Sequence, residues 1–143
     1  MGKKRVATKA GGTEGTAQTA SSRVSRKRLD SGTLFIEATY NNTKVSLATR
    51  EGDVVTWSSS GSLGFKGAKK GTPFAAAKVG ELIGDRAKQF GIREITAIIS
   101  GVGSGRESAI RSFLAKSGAT VSSLQDRTPV PFNGPRPKKP RRV

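Results

Sequence analysis

Hydrophobic positions with a period of two dominate the first part of the folded region. In residues 33–40, Leu34, Ile36, Ala38 and Tyr40 share one face at period two, which predicts a strand. Asn41-Asn42 follows, and Asn tolerates the positive φ that a two-residue hairpin turn needs. Residues 43–49 alternate again through Val45 and Leu47, and Arg50-Glu51-Gly52-Asp53 reads as the next turn. Residues 54–59 form a third strand around Val55 and Trp57, with Trp57 expected in the core. The pattern predicts a three-stranded antiparallel meander.

The period then changes. After a glycine-rich stretch from Ser60 to Gly71, Thr72 and Pro73 supply an N-cap hydroxyl and a proline at the first helical position. Ala75, Val79, Leu82, Ile83 and Phe90 fall on one helical stripe, and Gly91 suits the left-handed residue that ends a helix. Residues 92–100 are almost continuously apolar and β-branched, which predicts a central strand covered on both faces. Ser104 and Glu107 have the spacing of a capping box for a second helix, with Ile110, Phe113 and Leu114 inward and Gly118 at its end. A last short strand is expected at 119–125, around Val121 and Leu124. The order βββαβαβ predicts an α/β fold: a mixed five-stranded sheet with helices packed on it through right-handed crossovers.

Charge divides the chain further. Of 143 residues, 26 are Lys or Arg and 10 are Asp or Glu, a net charge of +16. Residues 1–30 hold eight bases and two acids, residues 127–143 hold six bases and no acid, and residues 31–126 carry only +4. Residues 7–22 contain no large apolar side chain, so residues 1–30 are expected to be a disordered basic tail. Pro129, Pro131, Pro135, Pro137 and Pro140 exclude helix and central strand, so 127–143 reads as an extended basic arm beyond a 31–126 domain. So large a positive charge calls for a polyanion.

Other partners and chemistries fit poorly. No run of about 18 apolar residues exists, so no membrane span is expected. The charged first residues are followed by no apolar segment, so no secretory signal is expected, and a transit peptide ranks below a disordered tail. With no Cys and no His, disulfides, thiol nucleophiles, imidazole bases and almost all zinc sites drop out. No cofactor, metal or small-molecule substrate is expected, and the protein reads as a cytoplasmic non-enzyme. A nuclease would need clustered acids, whereas Glu81 and Asp85 read as a solvated helix face beside Lys78 and Lys88. An architectural DNA-binding protein is the other alternative.

Two loops suit phosphate. In the first, Gly64, Phe65, Lys66, Gly67, Lys69 and Lys70 lead into Thr72 and Pro73 at a helix N-terminus. Phe65 is the candidate for base stacking. In the second, Gly103, Ser104, Gly105 and Arg106 form a tight strand-to-helix turn. It is not a dinucleotide fingerprint, because Arg106 stands where the third glycine would be. Other candidate RNA contacts are Arg26, Lys27 and Arg28 at the end of the tail, Lys44 and Arg111 in the domain, and Arg127, Arg136, Lys138, Lys139, Arg141 and Arg142 in the arm.

Several short segments are together specific: Tyr40-Asn-Asn-Thr43, Gly64-Phe-Lys-Gly67, Thr72-Pro-Phe-Ala-Ala76, Gly105-Arg-Glu-Ser108, Asp126-Arg-Thr-Pro-Val-Pro131 and Asn133-Gly134. With the closing Arg-Pro-Lys-Lys and Arg-Arg-Val, they make residues 28–143 resemble the bacterial-type ribosomal protein S-eleven family of the small subunit. The resemblance implies a ribonuclease-H-like sheet with helices on both sides and no catalytic acids. It implies binding to 16S rRNA in the platform near the mRNA exit side, beside the ribosomal proteins S-seven and S-eighteen. Carried over by motif, the rRNA contacts are Asn41, Asn42, the 64–73 loop, the 103–106 turn and the arm, including Asn133 and Gly134. The chain departs from the family pattern at Val102 and Ser104, where prolines are usual, and at Phe132, where a histidine is usual.

Overall fold

The computed structural model describes residues 28–142. The remainder, including Arg26, Lys27 and nearly all of the expected N-terminal tail, lies outside the described residues. In chain order the elements are β1 (Ser31–Ala38), β2 (Thr43–Thr49), β3 (Val54–Ser59), a 3-10 turn (Gly67–Gly71), α1 (Pro73–Phe90), β4 (Glu94–Ser100), α2 (Gly105–Ser117) and β5 (Thr120–Asp126). The strands form one mixed sheet in the order β3-β2-β1-β4-β5. β1–β2 and β2–β3 are antiparallel, and β1–β4 and β4–β5 are parallel.

Strand order explains where the helices lie. The crossover from β3 to β4 and the crossover from β4 to β5 run in the same direction across the sheet. Two crossovers of one hand and one direction put their helices on the same face. The core agrees: Leu34, Ile36, Val45, Leu47 and Ile95 pack with Ala76, Val79 and Ile83 of α1 and with Ala109 and Phe113 of α2. Among the described residues both helices lie on one face, not on both sides as the family resemblance implies. Nor is β4 covered on both faces: Ile95, Ala97 and Ile99 are buried, while Thr96, Ile98 and Ser100 are only half-buried on the other side.

Local signals place most boundaries. The Thr72 hydroxyl accepts from the Ala75 backbone N–H at 3.3 Å, Pro73 opens α1, and Gly91 closes it at φ 77°. The stripe of α1 includes residues that periodicity of large side chains does not mark: Ala76, Gly80, Gly84 and Ala87 are all buried. A Cβ on Gly80 would lie 2.4 Å from the Ala109 carbonyl oxygen, so α2 rests almost directly on the backbone of α1.

Four expectations change. β1 ends at Ala38, and Tyr40 leaves the apolar face to stand 78% exposed in the turn. That turn spans Thr39–Asn42 and neither Asn has positive φ, because the Thr39 hydroxyl and backbone N–H both donate to the Asn42 carbonyl. Trp57 is 56% exposed, because its register partner Ser46 belongs to the face opposite the helices. The capping box does not form. Ser104 is helical in φ and ψ, its hydroxyl donates to the Gly71 carbonyl at 2.8 Å, and Glu107 pairs with Arg111 at 2.5 Å.

Candidate nucleic-acid interface

The parallel topology gathers the predicted loops at one pole of the sheet. Strands β1, β3, β4 and β5 end there, and α1 and α2 begin there. This is the end at which open α/β sheets commonly bind ligands, because variable loops sit on a fixed scaffold.

Backbone contacts knit the loops together. The Gly103 N–H donates to the Ala38 carbonyl at 2.8 Å, and the Ser104 hydroxyl reaches Gly71. A Cβ on Gly71 would lie 2.1 Å from the Tyr40 carbonyl oxygen, and one on Gly103 would lie 2.2 Å from that of Thr39. Only glycine permits these approaches. Ser60 turns the first loop by donating its N–H to the Thr43 carbonyl at 2.9 Å. Asn42 Oδ1 and Thr43 Oγ1 are buried here without a hydrogen-bond partner.

The pole unites Asn41, Asn42, Lys44, the Gly64–Gly67 segment, Lys69, Lys70, Thr72, Pro73, the Gly103–Arg106 turn and Arg127. Lys66 and Lys69 are exposed, and Lys70 is half-buried. The first turn of α1 contains no acid, although that end of a helix favours negative charge, so its free N–H groups face no internal anion. Each acid on this side has a basic partner: Glu37 with Lys44 at 3.7 Å, Glu107 with Arg111, and Asp126 with Arg106. Among the described residues, no acid pairs with the lysines of the glycine loop.

Arg106 is tied into the fold. One guanidinium nitrogen donates to the Gly101 carbonyl at 2.5 Å and to the Thr128 hydroxyl at 3.4 Å, and the other pairs with Asp126. Asp126 also accepts the Thr128 hydroxyl at 2.6 Å and the Thr128 backbone N–H at 2.9 Å. The Thr128 hydroxyl, the Arg106 guanidinium and the Thr128 N–H together hold the Asp126 carboxyl at about 2, below its ordinary 3.8. This clasp sets the root of the basic arm, with the Arg127 N–H donating to the Ile99 carbonyl at 2.8 Å. Beyond it, residues 129–142 are exposed and carry Arg136, Lys138, Lys139, Arg141 and Arg142 outside the body. Asn133 adopts φ 51° next to Gly134, and Phe132 is 96% exposed.

Arg28 lies elsewhere. The Leu29 N–H donates to the Phe90 carbonyl, which puts Arg28 at the opposite pole among Asp30, Lys88 and Arg93. Arg111 is exposed on α2, one turn beyond the loop end. Phe65 is half-buried, with its ring 6.1 Å from Phe74 in an edge-to-face contact. The exposed aromatics at this pole are Phe74, which stacks under Lys78, and Tyr40. Neither is among the contacts expected from the sequence. The available signal was position: Phe74 directly follows the helix-opening proline, and Tyr40 directly precedes the Asn pair.

The α/β body carries its helices on one face, its glycine-built basic turns at one pole and a basic arm rooted beside them. The family model described as ribosomal protein S11 matches residues 32–142, and the chain belongs to that family. It is 50% identical over 118 residues to small ribosomal subunit protein uS11 of Gloeobacter violaceus, covering 82% of this chain and 90% of that protein. It is 49% identical over 121 residues to uS11 of a Synechococcus strain (85% and 92% covered) and 47% identical over 121 residues to uS11 of Treponema pallidum (85% and 95% covered). The family is structural rather than catalytic, and the protein is a small-subunit ribosomal protein that acts in translation and, in bacteria, in the cytoplasm. No helix among the described residues is long and apolar enough to cross a membrane.

Proposed function

We propose that the chain is an rRNA-binding protein of the small-subunit platform, seated near the mRNA exit side with S-seven and S-eighteen as neighbours. The loop pole docks on 16S rRNA, and the arm follows the phosphate backbone away from it. Lys66, Lys69 and Lys70 neutralise phosphates and release counterions. The N–H groups at the start of α1 meet a phosphate oxygen without a competing acid. Recognition is of backbone and shape, with base contacts confined to unpaired nucleotides near Tyr40, Asn41 and Phe74.

The observation that carries this reading is the convergence of the glycine-lysine loop, the 101–106 turn and the root of the arm at one pole. Hydroxyl-radical footprinting of 16S rRNA with the purified chain tests it. Protection confined to platform helices is expected, and it should shrink when residues 132–143 are deleted. Protection spread evenly over the rRNA, or equal affinity for duplex DNA, would sink the proposal in favour of a general architectural binder.

A further inference from the structure

The basic arm leaves the body through a stiff segment with a fixed start. Thr128 and Val130 each precede a proline, and the rings of Pro129 and Pro131 set their own φ, so four consecutive residues are held near extended backbone. A direction imposed at Thr128 is therefore carried outward to Pro131. Asp126 imposes it. Its carboxylate accepts the Thr128 hydroxyl at 2.6 Å and the Thr128 N–H at 2.9 Å, while the Arg127 N–H donates to the Ile99 carbonyl on β4. Arg106 fastens this turn to the pole. Both its terminal nitrogens point into the protein, one to Gly101 and Thr128 and the other to Asp126. Ser104, in the same 101–106 turn, reaches Gly71 at the end of the glycine-lysine loop. A continuous run of polar contacts thus links the arm to the loop that carries Lys66, Lys69 and Lys70. On charge alone, Asp126 is out of place. It is ionised at neutral pH, its side chain is 52% exposed, and it sits between two basic elements offered to a polyanion. An acid there repels phosphate.

We infer that Asp126 and Arg106 are positioning residues for RNA binding: their clasp sets the arm on a fixed course relative to the loop pole, so that arm and pole engage rRNA as one preorganised pair. The inference rests on the rRNA contacts proposed above. Preorganisation works through entropy. With the direction of the arm already fixed, less conformational freedom is lost when it docks, and its effective concentration at its own contact rises once the pole is bound. Arg106 acts through Asp126 and Thr128 and not as a phosphate ligand. Asp126 therefore strengthens RNA binding although its own charge opposes it.

The sign of one substitution separates this from simple electrostatics. Asp126→Ala removes a negative charge beside the RNA, so charge alone predicts tighter binding, whereas loss of the clasp predicts several-fold weaker binding. Affinity for 16S rRNA is measured by filter binding with and without residues 132–143. Asp126→Ala should weaken the full chain several-fold and leave the truncated chain unchanged or slightly tighter; a merely structural defect would weaken both equally. Arg106→Lys keeps the charge but cannot fork to three partners, so it should weaken the full chain as Asp126→Ala does. Parent-like affinity would make Arg106 a plain phosphate contact. A second readout needs no RNA. The chain has no cysteine, so Ala115→Cys on α2 and Val130→Cys on the arm take spin labels without competing sites. Their distance distribution, read by double electron–electron resonance in the free chain, should be narrow and should broaden with Asp126→Ala. Unchanged or tighter binding by the full-length Asp126→Ala chain, equal loss in the truncated chain, parent-like binding by Arg106→Lys, or a distribution that does not broaden overturns the inference. A truncation that by itself leaves affinity unchanged removes the proposed rRNA contact of the arm, and the inference falls with it; the free-chain distances then show separately whether the clasp was closed.

Discussion

Asp126 sits on the surface, yet three donors converge on its carboxylate. Its folded pKa of about 2 lies below the ordinary 3.8, so its clasp contributes fully above about pH 4 and is lost as pH falls through 2. An NMR titration should therefore show the Thr128 amide shifting with a midpoint near 2; a midpoint near 3.8 would mean that the clasp is open in solution. Gly80 offers a test in the core. Helix propensity alone favours Gly80→Ala by about 1 kcal/mol. The added methyl, however, meets the Ala109 carbonyl oxygen at 2.4 Å, and overpacking of this kind costs about 1–3 kcal/mol. Net destabilisation in urea unfolding, with an unchanged slope, is the expected result. A gain in stability would show that α2 stands off from α1.

At the scale of elements, the glycine-lysine loop and the arm are separable. Replacing Lys66, Lys69 and Lys70 together by Gln should reduce the log-log salt slope of rRNA binding by about 2, at about 0.7–0.9 per phosphate contact. Thermal unfolding of the free chain should be nearly unchanged, since Lys66 and Lys69 are exposed. Deleting residues 132–143 removes five cations and should lower the slope by several units on the same scale. An unchanged slope in either variant removes that element from the interface. Many of these elements were legible beforehand. Thr72-Pro73 and Gly91 mark the ends of α1 because capping is a contact within one turn. Ser104 misled for the complementary reason: its hydroxyl had a local partner by spacing, but a distant carbonyl, that of Gly71, lies closer in space.

For the whole molecule, charge is distributed by pole. Asp30, Glu51, Asp53 and Glu94 cluster at the end away from the lysine loop, among Arg28, Arg50 and Arg93. Among the described residues at the loop end, each acid pairs with a base other than the loop lysines. A free chain of +16 repels itself, so raising salt from low ionic strength to about 0.5 M should raise its melting temperature. The same change should weaken rRNA binding. The two opposite trends, read by calorimetry and filter binding, check that the charge serves a partner and not the fold.

The sequence by itself determined the order βββαβαβ, the helix ends, the basic arm and the family, because periodicity, caps, proline content and motifs are local properties of the chain. Strand order alone decided that both helices share one face, which left Trp57 exposed and half of β4 uncovered. Close packing alone decided that Gly80, Gly71 and Gly103 are contact positions, that Arg106 holds the root of the arm, and that Arg28 belongs to the far pole. These depend on which distant backbones meet, and the pattern along a single chain carries no record of that.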